Sequence, residues 1–300
     1  MYDKTECSPI GMDHGNSCLS KKILIKIANN INKLNRCSAI NCDLGHDELY
    51  AEVCDRMKII SECKKESCWV KTDIMNGLSS KDKIHFNESF KPFTPPGWIS
   101  NPTMWLNTSD IDNVLNRYQK KYPSFKYFGA IPIDFSKKSR GTCVVSDLCK
   151  LNIKKLIKEK YKSIGIVFNT DPHNKGGEHW FSLYVDLIGI NRPTPTIYYY
   201  DSAKNPISNE IKLLIKKIKK QFKKAMKKKQ RRLDGGGGGK IDFLFNDIQH
   251  QYGDTECGIY SIHFIVQMLT GMNFQNYIDK KINDKEIQKF RKVFFIDPEN

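Results

Sequence analysis

The stretch Gln251-Tyr252-Gly253-Asp254-Thr255-Glu256-Cys257-Gly258, followed without a break by the apolar run Ile259 to Leu269, decides how this chain is read. The run is apolar nearly all round, which predicts a buried helix with Gly271 placed to cap its C-terminus. Cys257 then falls in the first turn, where unpaired N–H groups and the helix dipole favour a thiolate. Upstream, His179-Trp180 and Asp201 each stand at the edge of a predicted strand. A thiol at a helix start, with an imidazole, a carboxylate and an amide available in that chain order, points to a cysteine hydrolase.

Working outward, the period changes from helical to alternating. Ile164 to Phe168 is a short apolar run, Phe181, Leu183, Val185 and Leu187 alternate with polar or smaller residues, and Thr196 to Tyr200 is β-branched and aromatic. These read as three strands of one sheet, with a fourth at Ile241 to Phe245. A long helix from about Ser208 carries Ile211, Leu214, Ile215, Ile218 and Phe222 on one face and lysines on the other, and ends in the Gly235 to Gly239 linker. A further helix is expected from Ser109-Asp110-Ile111-Asp112 to about Lys121, and two more after Cys257's helix. The first ~95 residues show helical patterns at Leu19 to Leu34 and Asp47 to Ile60 and no strand pattern. Pro92, Pro95, Pro96, Gly97 and Pro102 form a breaker-rich stretch, so the boundary is placed there: a helical arm over 1–95 and a catalytic core over 96–300.

The net charge of +16 over 300 residues suggests nucleic acid until it is located: twelve Lys or Arg and no acid lie between Lys212 and Arg232, leaving only +4 elsewhere. That basic amphipathic helix fits a nucleic acid, an acidic partner or a membrane surface, and equally a solvated face over a buried stripe. No stretch approaches the ~20 apolar residues needed to cross a bilayer. Met1 to Glu6 does not resemble a secretory signal, so the ten cysteines are expected as free thiols in a reducing compartment. Seven of them precede residue 70, including the pairs Cys37-x4-Cys42 and Cys63-x4-Cys68 near His14 and His46. Their spacing is poor for zinc, and Cys143 and Cys149 read as packing residues. No metal or organic cofactor is expected.

The roles divide as follows. Cys257 is the nucleophile, Gly258 leaves the approach to its sulfur open, and the Cys257 N–H points at the oxygen of an attacked carbonyl. Gln251 supplies a side-chain amide as second oxyanion donor, worth roughly 3 kcal/mol in other hydrolases. His179 takes the thiol proton, and Asp201 accepts the other imidazole N–H. Taken singly, a Cys before an apolar helix or a His at a strand end is most often structural. The combination carries the argument.

The pattern His179-Trp180, Asp201, Gln251 and Cys257-Gly258 resembles the cysteine proteases that cleave ubiquitin-like modifiers such as SUMO, and the related adenovirus protease. It differs from the Cys, His, Asn order of papain. Within this group the likeness is greatest to the polyprotein-processing proteases of African swine fever virus and other large DNA viruses. It is carried by Cys18-Leu19-Ser20-Lys21-Lys22, Asn169-Thr170-Asp171, Glu178-His179-Trp180, Ser202-Ala203 and Thr255-Glu256-Cys257-Gly258. The resemblance implies an α+β fold, a central mixed sheet flanked by helices with a helical N-terminal arm. It also implies cleavage of structural polyproteins at Gly-Gly-Xaa sites, in the host cytoplasm and the virion. A narrow channel passable only to glycine explains that preference, because any Cβ would meet its walls. Trp180 is expected to form one wall. Asn169 matches the viral proteases and is a candidate for lining the cleft, although a turn-forming Asn at a strand end is the ordinary alternative. Asp201 stands where those viral proteases carry Asn, which brings this position nearer the modifier proteases. Two rival functions remain: a deconjugating protease for a ubiquitin-like modifier, and a basic nucleic-acid-binding protein with an inert protease-like core.

Overall fold

The computed structural model describes residues 6–34, 38–230 and 239–296; Cys37, Arg231, Arg232 and Gly235 to Gly238 lie outside the described residues. The chain divides into two compact units, Met1–Pro95 together with the segment from Lys292, and Pro96–Arg291.

In the first unit, helices α1 (Lys21–Lys33) and α2 (His46–Ile60) pack on each other, and α3 (Ser80–Ser89) follows two short 3-10 turns. Ser79 caps α3 by accepting the Asp82 N–H. The core is formed by Leu24, Ile27, Leu49, Val53, Met57 and Trp69, all fully buried, and Ile296 packs into it. Ile296 is placed there by bridging Phe93.

The cysteines correct the expectation of free thiols. Cys7–Cys18, Cys63–Cys68 and Cys143–Cys149 form disulfides. Sequence spacing could not show this, because the fold brings each pair of Cα atoms to 5.1, 5.6 and 6.4 Å, within reach of a bridge. Cys143 and Cys149 are therefore a link between a hairpin and the helix after it. Among the described residues, no group of three His, Cys, Asp or Glu is arranged to hold a metal.

The second unit opens with α4 (Thr108–Lys121), started by a reciprocal cap in which Asn107 accepts the Asp110 N–H and Asp110 accepts the Asn107 N–H. Strand β1 (Phe125–Pro132), the small hairpin β2 (Lys138–Ser139) and β3 (Thr142–Cys143), and the short helices α5 (Ser146–Cys149) and α6 (Ile153–Lys158) follow. Next come β4 (Ser163–Asn169), β5 (Trp180–Asp186), β6 (Thr196–Tyr200), α7 (Asn209–Gln230) and β7 (Asp242–Phe245). Helices α8 (Cys257–Leu269), α9 (Phe274–Asp279), α10 (Asp284–Gln288) and α11 (Phe290–Phe294) close the chain, one helix more than expected.

The sheet order is β1-β4-β5-β6-β7, antiparallel at β4/β5 and β5/β6 and parallel at the two edges. It is the expected mixed sheet. Every residue of β4, β5 and β6 is buried, because helices cover both faces. One face packs Ile164, Ile166, Leu183, Val185 and Ile197 against the apolar stripe of α7. The other receives α8, with the Tyr200 ring stacked 4.8 Å from Phe264. Strand β1 escaped the sequence reading because Gly129, at φ +100°, and a register shift after Tyr127 interrupt its alternation. Gly271, at φ +90°, ends α8 as expected. No helix among the described residues is long and apolar enough to cross a membrane.

Candidate active site

Two contacts fix the direction of α8 on the sheet. Ser182, near the start of β5, donates to the Ser261 carbonyl at 3.2 Å, and Gly165 lies so close to Ile265 that a Cβ there would stand 3.3 Å away. Gly165 is in register with Tyr184, so the helix advances along β5 in the same sense as the strand. The N-terminus of α8 therefore lies beside the beginning of β5, where His179 stands. Ser182 also pairs with Tyr200, which puts the end of β6, and Asp201 after it, alongside that same point. Strand ends and a helix start thus converge.

The side chains meet there. His179 Nε2 is 2.7 Å from Asp201 Oδ1, which leaves Nδ1 for the Cys257 sulfur at the first residue of α8, and Cys257 is among the groups that act on the imidazole's pKa. Cys257 and Asp201 are nearly fully buried, and the His179 side chain is 14 % exposed. Burial opposes a charge on this imidazole. The bonds to Asp201 and Cys257 and the negative charges of both outweigh it and lift the pKa from 6.5 to about 10. At neutral pH His179 is therefore a cation, paired with Asp201 and beside Cys257.

Asp201 is held through Oδ1 and its backbone, while its buried Oδ2 has no hydrogen-bond partner among the described residues. Its Oδ1 also accepts the Ala203 N–H at 2.9 Å, while Asn246 accepts the Asp201 N–H at 2.9 Å and donates to the Asp201 carbonyl at 2.7 Å. The Asn246 amide thereby continues the pairing of β6 with β7 by one step. The next residue, Ser202, carries Gln251: its carbonyl accepts the Gln251 N–H at 2.9 Å, and its hydroxyl donates to Gln251 Oε1 at 2.7 Å. The acid and the amide are consequently fixed in one piece. With Oε1 occupied as an acceptor, Gln251 presents its amide nitrogen, one N–H of which goes to the Gly253 carbonyl at 2.8 Å. The second N–H and the Cys257 N–H, which its own helix cannot satisfy, remain as donors.

The other expected site residues divide. Trp180 is buried and donates its indole N–H to the Leu106 carbonyl at 2.9 Å. Gly258 packs closely on Leu106: a Cβ there would stand 2.9 Å from Leu106 Cβ. Asn169 forms a turn, its Oδ1 accepting the Asp171 N–H at 2.9 Å. Asp171 in turn accepts the Gly177 N–H, and the Thr170 N–H bonds the His179 carbonyl at 2.9 Å, which anchors His179 at the start of β5. His250 is buried between the Tyr200 hydroxyl and the Ile278 carbonyl, and burial lowers its pKa. His263 lies in the core, drawn down to about 4 by burial.

Leu106 and Asn246 were missed by sequence reasoning. Asn246 follows the predicted strand Ile241 to Phe245 directly, which is a usable signal; Leu106 had none.

A family model for the Ulp1 protease family, C-terminal catalytic domain, matches residues 116–299. A thiol protease of Acanthamoeba polyphaga mimivirus is 28% identical, over 96% of this chain and 92% of that protein. A SUMO-1 cysteine protease of an African swine fever virus isolate is 25% identical, over 78% of this chain and 83% of that protein. The crystal structure of an African swine fever virus protease superposes with a TM-score of 0.63 at 24% identity, covering 99% of this chain and 97% of that one.

Proposed function

Since the chain belongs to the Ulp1 protease family and is a cysteine protease, we propose that Cys257, His179 and Asp201 form its catalytic triad, with Gln251 as oxyanion donor. The observation that carries this is the 2.7 Å bond from the His179 imidazole to Asp201, made where the start of α8 brings Cys257 close enough to act on the imidazole's pKa. The Cys257 thiolate attacks the peptide carbonyl, forming the C–S bond, and the oxyanion lies between the Cys257 N–H and the Gln251 amide. The imidazolium gives its proton to the leaving nitrogen as the C–N bond breaks. Neutral His179 then takes a proton from water, whose oxygen attacks the thioester and releases the acid with the thiolate restored. Asp201 keeps the imidazole oriented throughout.

The substrate proposed is a viral structural polyprotein cut after Gly-Gly-Xaa, in the host cytoplasm and the virion. Support comes from Trp180, a flat side chain pinned by its indole N–H one residue after the base, where bulky acyl-side residues would meet it. Removal of a ubiquitin-like modifier is the second reading, favoured by the name SUMO-1 cysteine protease carried by the African swine fever virus relative. Gly-Gly-Xaa peptides and modifier conjugates, assayed side by side by product mass, separate the two. Cleavage of either by wild type and not by Cys257→Ala is expected; cleavage by the variant as well would overturn the assignment of the nucleophile.

The lysine face of α7 is proposed to dock a polyanion, a nucleic acid or an acidic protein. Seven exposed lysines run from Lys212 to Lys227, while the helix's apolar stripe is already committed to the sheet and so is not free to enter a bilayer. Binding to a duplex of about 20 base pairs that weakens steeply with salt, and drops when four of these lysines become Gln, is the expected result. Binding only to polyaspartate would assign the acidic partner, and binding to neither would remove the proposal.

A further inference from the structure

Arg291 is 5 % exposed, and within the second unit all of its hydrogen bonds go to uncharged oxygens. Nη1 donates to the Met104 carbonyl at 2.9 Å, Nη2 to the Thr103 and Thr255 carbonyls at 3.3 Å each, and Nε to Gln288 Oε1. The guanidinium lies 4.2 Å over the Trp98 ring. A buried cation needs a counter-charge, and here it is reached through an amide. Gln288 Nε2 donates to Glu256 Oε1 at 2.6 Å, and Glu256, 7 % exposed, also accepts the Thr255 hydroxyl and N–H. The chain Arg291–Gln288–Glu256 is therefore an ion pair with an amide spliced into it.

What makes this more than a core network is what its ends hold. Glu256 is the residue before Cys257, and Thr255, gripped from both ends, is the one before that. On the far side, the Arg291 fork fixes the carbonyls of Thr103 and Met104. Two residues on is Leu106, whose carbonyl holds the Trp180 indole and whose side chain lies on Gly258. The network is the polar link between the segment that positions Trp180 and the segment that delivers the nucleophile. Burial draws the Arg291 pKa down to about 10, with Glu256 and Cys257 opposing it, which places the guanidinium within the field of the active site.

We propose that Arg291 is a positioning residue for the reaction: through Gln288, Glu256 and the Thr103–Met104 carbonyls it sets the distance between the Leu106–Trp180 wall and the Cys257 sulfur. It touches no reacting atom. The planar fork is essential to the role, because one ammonium cannot satisfy the Met104, Thr103 and Thr255 carbonyls and Gln288 in one plane. The inference rests on Cys257 being the nucleophile, and loss of activity in Cys257→Ala tests that reading separately.

The experiment uses the full chain. Active sites are counted by stoichiometric alkylation of Cys257, and kcat and KM are expressed per counted site for wild type, Arg291→Lys and Gln288→Leu. A misplaced wall costs rate in sites that still alkylate. Arg291→Lys is expected to lower kcat per site at least tenfold, with the pH dependence of alkylation unchanged, and Gln288→Leu to lower it by a smaller factor. Wild-type kcat and KM per counted site in Arg291→Lys would make Arg291 a stabiliser of the fold alone and overturn the proposal. Where Arg291→Lys yields no countable sites, Gln288→Leu decides on the same criterion.

Discussion

Replacing Asp201 by Asn isolates the charge of the acid from its geometry. An Asn oxygen can still accept from His179 Nε2 and from the Ala203 N–H, and Asn246 still grips the backbone on both sides. What is lost is the difference between a charge-assisted and a neutral hydrogen bond, about 1–1.5 kcal/mol. At about 1.36 kcal/mol per pK unit this lowers the imidazolium pKa by about one unit from its value of about 10. His179 stays protonated at pH 7.5, so kcat/KM there should fall no more than ~10-fold, while the alkaline limb of its pH profile moves down by about one unit. Initial rates on a peptide substrate between pH 6 and 11 give both quantities. An unmoved alkaline limb would mean that Asp201 does not act on His179. A loss near ~10⁴-fold at pH 7.5 would mean that His179 works as a neutral base whose tautomer Asp201 selects, contradicting the resting ion pair.

Gln251→Ala removes one oxyanion donor and leaves the ion pair, so kcat should fall ~10²–10³-fold with alkylation of Cys257 retained; joint loss of both would show a folding defect instead. Gly258→Ala drives a Cβ to 2.9 Å from Leu106, and a destabilisation of about 1–3 kcal/mol with lower activity is expected in urea unfolding. A neutral result would mean that Leu106 moves freely. In the first unit, burial lifts Glu66 from 4.5 to about 7 despite its bonds to Ser17 and Cys18. A carboxyl whose folded pKa is raised contributes stability below its unfolded pKa and loses it as pH rises through the folded one. Wild-type Tm should thus fall between pH 4.5 and 7, and Glu66→Gln should flatten that slope. An equal slope in the variant would refute the assignment to Glu66.

Legibility in the sequence followed the kind of interaction involved. The strands covered by helices on both faces, β4 to β6, and the all-apolar α8 are dictated by local burial patterns, and Ile164 to Phe168 or Thr196 to Tyr200 show those directly. Strand β1 does not, because a glycine in the left-handed region and a register shift hide its period. The candidate site's chain order was visible because His179, Asp201 and Cys257 each sit at the end of a legible element, with Gln251 in the loop before α8. What holds them is not visible: Asn246 reaches back 45 residues to Asp201, and Leu106 lies 74 residues before Trp180. The same holds for the three disulfides, whose pairing depends on Cα separations set by the fold. Gly258 was legible as a motif residue, but its close packing on Leu106, 152 residues earlier in the chain, was not.

The account stands on one charged imidazole between Cys257 and Asp201. Nitrogen-15 NMR of His179 measures it directly, in wild type and in Cys257→Ala. An imidazolium at pH 7.5 that loses its proton near a pH of about 10 is expected in the wild type, with a clear downward shift once the sulfur is removed. A His179 that titrates near 6.5, the same with or without Cys257, would contradict it.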